Sequence, residues 1–556
     1  MLIRLEDKFR KASDLHRKGL LESARLVCEE ILADQAVHFD ALNLLGLIAA
    51  QTRNPTLAVT LLAQAIAVNP ANAFTHCNLG TAQQELEQWA ASLASYDQAV
   101  ALKPDYAVAY SNRGNVLRRL GRLHEALTSF DQAIELQPNF VEAHVNRGNV
   151  LGELHRWPLA LASHDTALSL RPDFAEAHCN RGLALKALHR PAEALASFDK
   201  AIALRPGHAE AHVNRGNMLG ELQEFEAATA AYNRAIAIQK DYPPAHVNRA
   251  LVSLLNGNFE RGWADYEWRW RDTTRAQTRE ARRFSKPQWL GKENLAGKTI
   301  LLHHEQGLGD TLQFCRYAER VAEQGATVIL GVQKPLLGLL SGLAGVTQLV
   351  SEGTAIPDFD YHCPLMSLPL AFNTLLHTIP ARPSYLRADA VKAAQWRARL
   401  SSVAGPRIGL VWSGNAVHTN DHHRSIPLAE LLRFLPDNCH YVSLQKDLRA
   451  TDEALLRSHP RIIDVADELH DFSDSAALCQ CLDLVITVDT SVAHLNGALG
   501  NKTWLLLPFN PDWRWLLQRE DSPWYPTLKL YRQPRLGDWQ GALSRVGAGL
   551  IRTFGG

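Results

Sequence analysis

The chain has 556 residues, 46% of them hydrophobic, with 58 Lys+Arg against 58 Asp+Glu. That apolar content excludes a disordered chain and suffices for several cores, three or four domains by length. Zero formal charge supplies no global field for nucleic acid or an anionic membrane. The eight cysteines (Cys28, Cys77, Cys179, Cys315, Cys363, Cys439, Cys479, Cys481) include no CxxC pair, which speaks for buried thiols rather than disulfides or zinc.

The opening MLIRLEDKFRKASD lacks the apolar centre of a signal peptide, and no run reaches membrane-spanning length, so a cytoplasmic location is expected. The first half then repeats itself. Asparagine recurs at 78, 112, 146, 180, 214 and 248, glycine from 46 to 216 and proline from 70 to 206, all in steps of 34 residues. A period of that length with helical periodicity on either side of a turn is the mark of tetratricopeptide repeats. Seven units run from Phe39 to roughly residue 276, behind a degenerate one. In each, a small residue such as Ala58, Ala126 or Ala194 lets two antiparallel helices approach. A bulky residue four later (Tyr96, Phe130, Phe198, Tyr232) fills the gap, and Ala65, Ala99 and their equivalents meet the next unit.

Arginine follows the repeated asparagine at Arg113, Arg147, Arg181, Arg215 and Arg249, where such repeats usually carry leucine. Asn112, Asn146, Asn180, Asn214 and Asn248 lie on the first helix of each unit, which lines the concave face of these solenoids. Stacked at one level, they form an amide ladder able to bond an extended peptide backbone. This resembles the asparagine ladder of the O-GlcNAc transferase repeats. The alternative is that asparagines and arginines bond one another and nearby carbonyls to hold the superhelix.

From Asn258 the pattern becomes NFERGWADYEWRWRD. Trp263, Tyr266, Trp268 and Trp270 read as a cap that covers the last repeat. The basic run to Arg283 reads as a solvated linker, since a neutral chain makes a nucleic-acid stacking surface a poor alternative.

Strand and helix alternation begins at Lys298. Thr299 to His304 reads as a strand, EQGLGD as a tight loop, TLQFCRYAERVAEQG as a helix and ATVILGV as a strand, which makes a Rossmann-like half. The third glycine of a dinucleotide fingerprint is missing, which argues against a nicotinamide cofactor. Asp310 falls at a strand-to-helix turn, where it either caps the helix or faces a ligand. After Pro364, Pro369, Pro380 and Pro383 a second alternation starts at Arg407 and includes CHYVSLQ, a strand ending before Lys446. Leu484 to Val488 reads as a fully buried strand, followed by a helix capped at Thr490 or Ser491 and closed by Gly500, then the strand Thr503 to Leu507. Such a helix N-terminus can hold an anion. Equally, Asp489 and Thr490 can simply cap it.

Two Rossmann-like halves with a cleft between them follow the plan of a GT-B glycosyltransferase. The expected fold is therefore an α-solenoid (1–276), a linker (277–296), and two Rossmann-like halves (297–390 and 391–556). The region carrying both Rossmann-like halves, over most of Lys298 to Gln533, resembles the heptosyltransferase-type glycosyltransferases, family nine, through Gly309 and Asp310, through Asn420, Asp421 and Arg424, and through Asp489, Thr490 and His494. Ser491 stands where that family has glycine. The repeats joined to such a region are similar in architecture to the O-GlcNAc transferases, whose lysine after a strand has a counterpart in Lys446. The resemblance implies an inverting, metal-independent transfer from a nucleotide sugar, the donor substrate, with no cofactor. Asp310 is then the base. Gly309, Arg424, Lys446, Asp489, Thr490, Ser491 and His494 are the donor-binding candidates. His494 can instead be a satisfied structural histidine.

His418, His422 and His423 sit on a polar loop without partners at ligand spacing, so no metal is expected there. Trp513, Trp515 and Trp524 are read as packing. The expected partners are a nucleotide sugar and a protein or peptide acceptor held by the repeats. Two alternatives remain open: transfer to lipopolysaccharide or another glycan, and a non-catalytic protein-interaction scaffold.

Overall fold

The computed structural model describes residues 2–272, 284–417 and 420–555. The basic run ending at Arg283, with the first part of the expected linker, and His418 lie outside the described residues. Among those described, no helix is long and apolar enough to cross a membrane.

Sixteen helices joined by short turns run from Leu2–Arg17 to Phe259–Tyr266. Their spacing explains the repeated glycines. A Cβ placed on Gly80 would lie 2.9 Å from the Tyr96 ring, one on Gly114 2.8 Å from Phe130, and one on Gly182 2.6 Å from Phe198. Each glycine is thus the socket for the ring sixteen residues later, and these three rings are fully buried. Fully burying a side chain of this size contributes roughly 2 to 3 kcal/mol, which recurs along the array.

The arginines after the asparagines form a second ladder. Nε of Arg113, Arg147, Arg181 and Arg215 each donates to the aspartate sixteen residues earlier (Asp97, Asp131, Asp165, Asp199) at 2.6 Å. Nη1 of Arg113, Arg147 and Arg181 donates to the serine sixteen residues later (Ser129, Ser163, Ser197) at 2.6 to 2.7 Å. One arginine therefore ties the second helix of its own repeat to that of the preceding repeat. The partners of Arg113, Arg147 and Arg181 are thus aspartate and serine, not the asparagine beside them, while Arg249 bonds Asp265 and Asn233.

The chain forms two compact units, Met1–Leu222 and Gln223–Gly556. The second contains the helices from Phe225–Ile238 to Phe259–Tyr266 together with two parallel sheets. The first sheet has strands β1 (Thr299–His303), β2 (Thr327–Val332), β3 (Gln348–Ser351) and β4 (Tyr361–Pro364) in the order β3-β2-β1-β4. The second has β5 (Arg407–Val411), β6 (His440–Ser443), β7 (Ile462–Asp464), β8 (Leu484–Val488), β9 (Thr503–Leu507) and β10 (Leu528–Arg532) in the order β10-β9-β8-β5-β6-β7. Leu301 pairs with Ile329 and Leu410 with Ile486. All five residues of β8 are buried, as a parallel strand covered on both faces requires. Both sheets step outward in two directions from their first strand, so each has a switch point: β1 against β4, and β5 against β8. Ligands bind beyond the carboxyl ends of strands at such points.

One apolar core runs from Val247, Trp263 and Tyr266 through Leu302 and Phe314 to Leu505 and Trp524. Trp263, Trp513 and Trp524 are packing residues: Trp263 meets Trp513 edge-on at 5.2 Å, and its Nε1 donates to the Thr374 carbonyl. A second core on the other face of the second sheet includes Ile408, Tyr441, Ile486 and the last helix, Trp539–Phe554.

Candidate functional site

The helix after β1 begins earlier than the sequence pattern suggests. It spans Leu308–Phe314, so Gly309 and Asp310 belong to its first turn rather than to a preceding loop. Asp310 Oδ2 accepts the Gly307 N–H at 2.8 Å, and Oδ1 pairs with Arg514. Gly309 is needed for a close approach: a Cβ there would sit 2.7 Å from His494 Cδ2, on the helix Ser491–Leu499 that follows β8.

These two strand-to-helix turns face each other across a cavity of about 680 Å³. Gln306 to Asp310 line one side. Asp489, Thr490, Ser491 and His494 come from the turn after β8, Asn415, Val417, Asn420 and Arg424 from the loop after β5, and Pro511, Asp512 and Arg514 from the loop after β9. The cavity therefore gathers Gly309, Asp310, Arg424, Asp489, Thr490, Ser491 and His494. Lys446 is not among its lining residues; its Nζ donates to the Leu469 carbonyl at 2.8 Å.

Thr490 is the N-cap of its helix but makes no side-chain cap bond; its hydroxyl lies 3.2 Å from Thr487 Oγ1 instead. The Ala493 N–H donates to the Thr490 carbonyl at 3.1 Å, among the described residues no side chain caps the N–H groups ahead of it, and Gly500 closes the far end at φ 78°. Arg424 Nη1 donates to the Asp489 carbonyl at 2.9 Å, and its Nε contacts Asp421, which also takes Arg449. His494 Nδ1 meets the Tyr525 hydroxyl at 2.9 Å rather than Asp489, and burial holds its imidazole neutral.

Asp489 and Asp310 are raised above the ordinary carboxylate range. Burial and nearby Asp512 lift Asp489 to about 7. Burial also raises Asp310, against the opposing pull of Arg514. Arg514 was not legible as a site residue from its place between two tryptophans. Its guanidinium is almost fully buried and bonds Asp310, Asp512 (2.9 Å) and Gln313 (2.6 Å). It stacks at 4.3 Å over Trp513. The same loop holds Leu516 at φ 53°, ψ −164°, a conformation costing roughly 1 to 3 kcal/mol that such sites tend to carry. The one available signal was its position directly after β9, which delivers Asp512 and Arg514 to the carboxyl edge of the sheet.

A larger cavity, about 940 Å³, lies by Arg316, Arg382 and Lys392, but these cations have partners: Arg316 the Trp524 carbonyl, Arg382 Glu319, and Lys392 Asp474. Asn112, Asn146, Asn180, Asn214 and Asn248 are half-buried on first helices. None lines the 680 Å³ cavity. Asn180 Nδ2 donates to Asn149 at 2.9 Å, bridging neighbouring repeats.

The model of the TPR repeat matches residues 85–121 and 114–154, and that of the tetratricopeptide repeat matches 9–73, 145–209 and 179–246. The N-terminal region is a tetratricopeptide-repeat array. Protein FlbA of Caulobacter vibrioides is similar at 26% identity over 334 residues, 55% of this chain and 54% of that protein. The chain thus spans about half the length of the curated relative it matches. Among solved structures, YrrB, described as a TPR protein with an unusual peptide-binding site, is 29% identical over 33% of this chain and 95% of its own, with a TM-score of 0.30. A tetratricopeptide repeat protein from Parabacteroides merdae is 19% identical over 45% and 98%, with a TM-score of 0.37. The matched repeat models end at residue 246, and beyond it the chain carries the parallel sheets.

Proposed function

We propose that this chain is an inverting glycosyltransferase of GT-B plan that transfers a sugar from a nucleotide-sugar donor to a hydroxyl of a protein held by its repeats. One observation carries the reading: two switch points, one from each sheet, share one cavity, with a carboxylate on one side and a guanidinium beside an uncapped helix N-terminus on the other. In that arrangement Asp310 accepts the proton of the acceptor hydroxyl as its oxygen attacks the anomeric carbon. The bond from that carbon to the diphosphate breaks. Arg424 and the N–H groups following Thr490 and Ser491 take up the charge on the departing diphosphate, without a metal. Arg514, paired with Asp310, favours the ionised carboxylate that a base requires.

The repeats support a protein acceptor because the asparagine-bearing first helices offer amide donors and acceptors at every 34th residue. The test is a thermal-shift titration with UDP, GDP, ADP, TDP and CMP, with and without magnesium. A ligand that binds only the folded state raises Tm. A magnesium-independent rise with one nucleotide, abolished in Arg424→Ala, is expected. No rise with any of them sinks the enzyme reading and leaves a protein-interaction scaffold.

A further inference from the structure

We infer that Arg269, in the short segment Glu267–Arg271 that ends the helical array, is a positioning residue that holds the turn bearing Asp310. The inference rests on Asp310 acting as the base. Arg269 grips Glu305 with two parallel bonds, Nε to Oε2 at 2.7 Å and Nη2 to Oε1 at 2.9 Å, and both side chains are almost wholly buried. Nη1 also bonds Glu267 and the Tyr266 carbonyl, and Nη2 bonds Ser367. The planar fork is thereby locked in one orientation.

Glu305 begins the turn that follows β1. The next residue, Gln306, donates to the Tyr266 hydroxyl at 2.9 Å, and the one after it, Gly307, supplies the N–H that holds Asp310 Oδ2. Two successive side chains of this turn are thus fastened to the cap, and the third residue orients the carboxylate. The cap reaches the opposite wall as well, through Trp263 against Trp513, the neighbour of Arg514. A buried ion pair is a poor source of net stability, because desolvation consumes most of the attraction. Its geometry, in contrast, is exact enough to place a neighbouring group, and a misplacement of about 1 Å can cost about a hundredfold in rate.

The test compares the full chain with Arg269→Lys, which keeps the charge but not the fork, and Tyr266→Phe, which removes a single hydroxyl. Amide hydrogen exchange is followed on peptides covering residues 304–311 and 484–499. Transfer is followed with the nucleotide sugar whose nucleotide raises Tm. Both variants should exchange roughly tenfold faster at 304–311 and unchanged at 484–499. Their kcat should fall about 10- to 100-fold with the Kd for the nucleotide within about twofold of the parent. Arg271→Ala, on an exposed neighbour, should alter neither. Unchanged exchange at 304–311 in both folded variants overturns the inference, and so does faster exchange spread equally over both peptides. A local rise in exchange in both variants, when the parent binds and turns over no nucleotide sugar, upholds the hold on the turn while refuting the glycosyltransferase reading.

Discussion

Asp489 shows how a site residue is set against stability. Its carboxyl holds a proton more tightly in the folded chain, up to about pH 7, than in the unfolded chain, where the ordinary value is about 3.9. The folded state therefore binds the extra proton between those values, and the group's contribution to stability falls as pH rises through that window. Asp489→Asn removes the charge without changing shape. Its Tm should exceed the parent's by several degrees at pH 8 and by much less at pH 5, as read by scanning calorimetry. Equal melting at pH 8 would show that the carboxylate is not strained in place. Burial raises Asp310 as well, and Arg514, which opposes the rise at both carboxylates, is in direct ion-pair contact with Asp310. None of this was visible in the local pattern: Asp310 and Arg514 are 204 residues apart, and their pairing follows from which strand ends meet.

At the level of elements, the repeat period was legible because the same contacts recur every 34 residues, and each recurrence needs the same residue type. Gly114 must be glycine because Phe130 occupies the space of its Cβ. The arginine ladder replaces leucine packing with an ion pair and a hydroxyl bond, half exposed to water. Arg181 is 27% exposed and Asp165 49%. A pair this open contributes roughly 0.5 to 1 kcal/mol and is screened by salt. Arg181→Ala should lower the urea midpoint of the array at low ionic strength, with the loss shrinking in about 1 M NaCl. An equal loss at both salt concentrations would assign the effect to the buried stem of the side chain instead. The helix at Leu308–Phe314 was misplaced by three residues because a Gly-Leu-Gly-Asp run reads as a turn, whereas Asp310 bonds back to Gly307 and starts the helix inside that run.

For the whole molecule, the compact second unit begins at Gln223, inside the repeats, and its core includes Val247, Phe259 and Trp263. A chain starting at Gln223 should therefore unfold cooperatively with native near-ultraviolet circular dichroism. One starting at residue 277 strips Phe259 and Trp263 from Trp513 and Trp524, loses Arg269 from Glu305, and should be aggregation-prone. Equal behaviour of the two would show that the cap is dispensable to the sheets. The sequence by itself determined the repeats, the uninterrupted apolar strands and the turns that follow them, because these depend on residues near one another in the chain. Asp310, Asp489 and Ser491 were legible for that reason, as the ends of such elements, whereas Gly309 and Arg424 were singled out by the resemblance to a glycosyltransferase family. Only the tertiary structure decided that they share one cavity, that Lys446 stays outside it, that Arg514 enters it, and that Arg269 grips Glu305. Those relations join strand ends and loops tens to hundreds of residues apart, and sheet order, which no local periodicity encodes, brings them together.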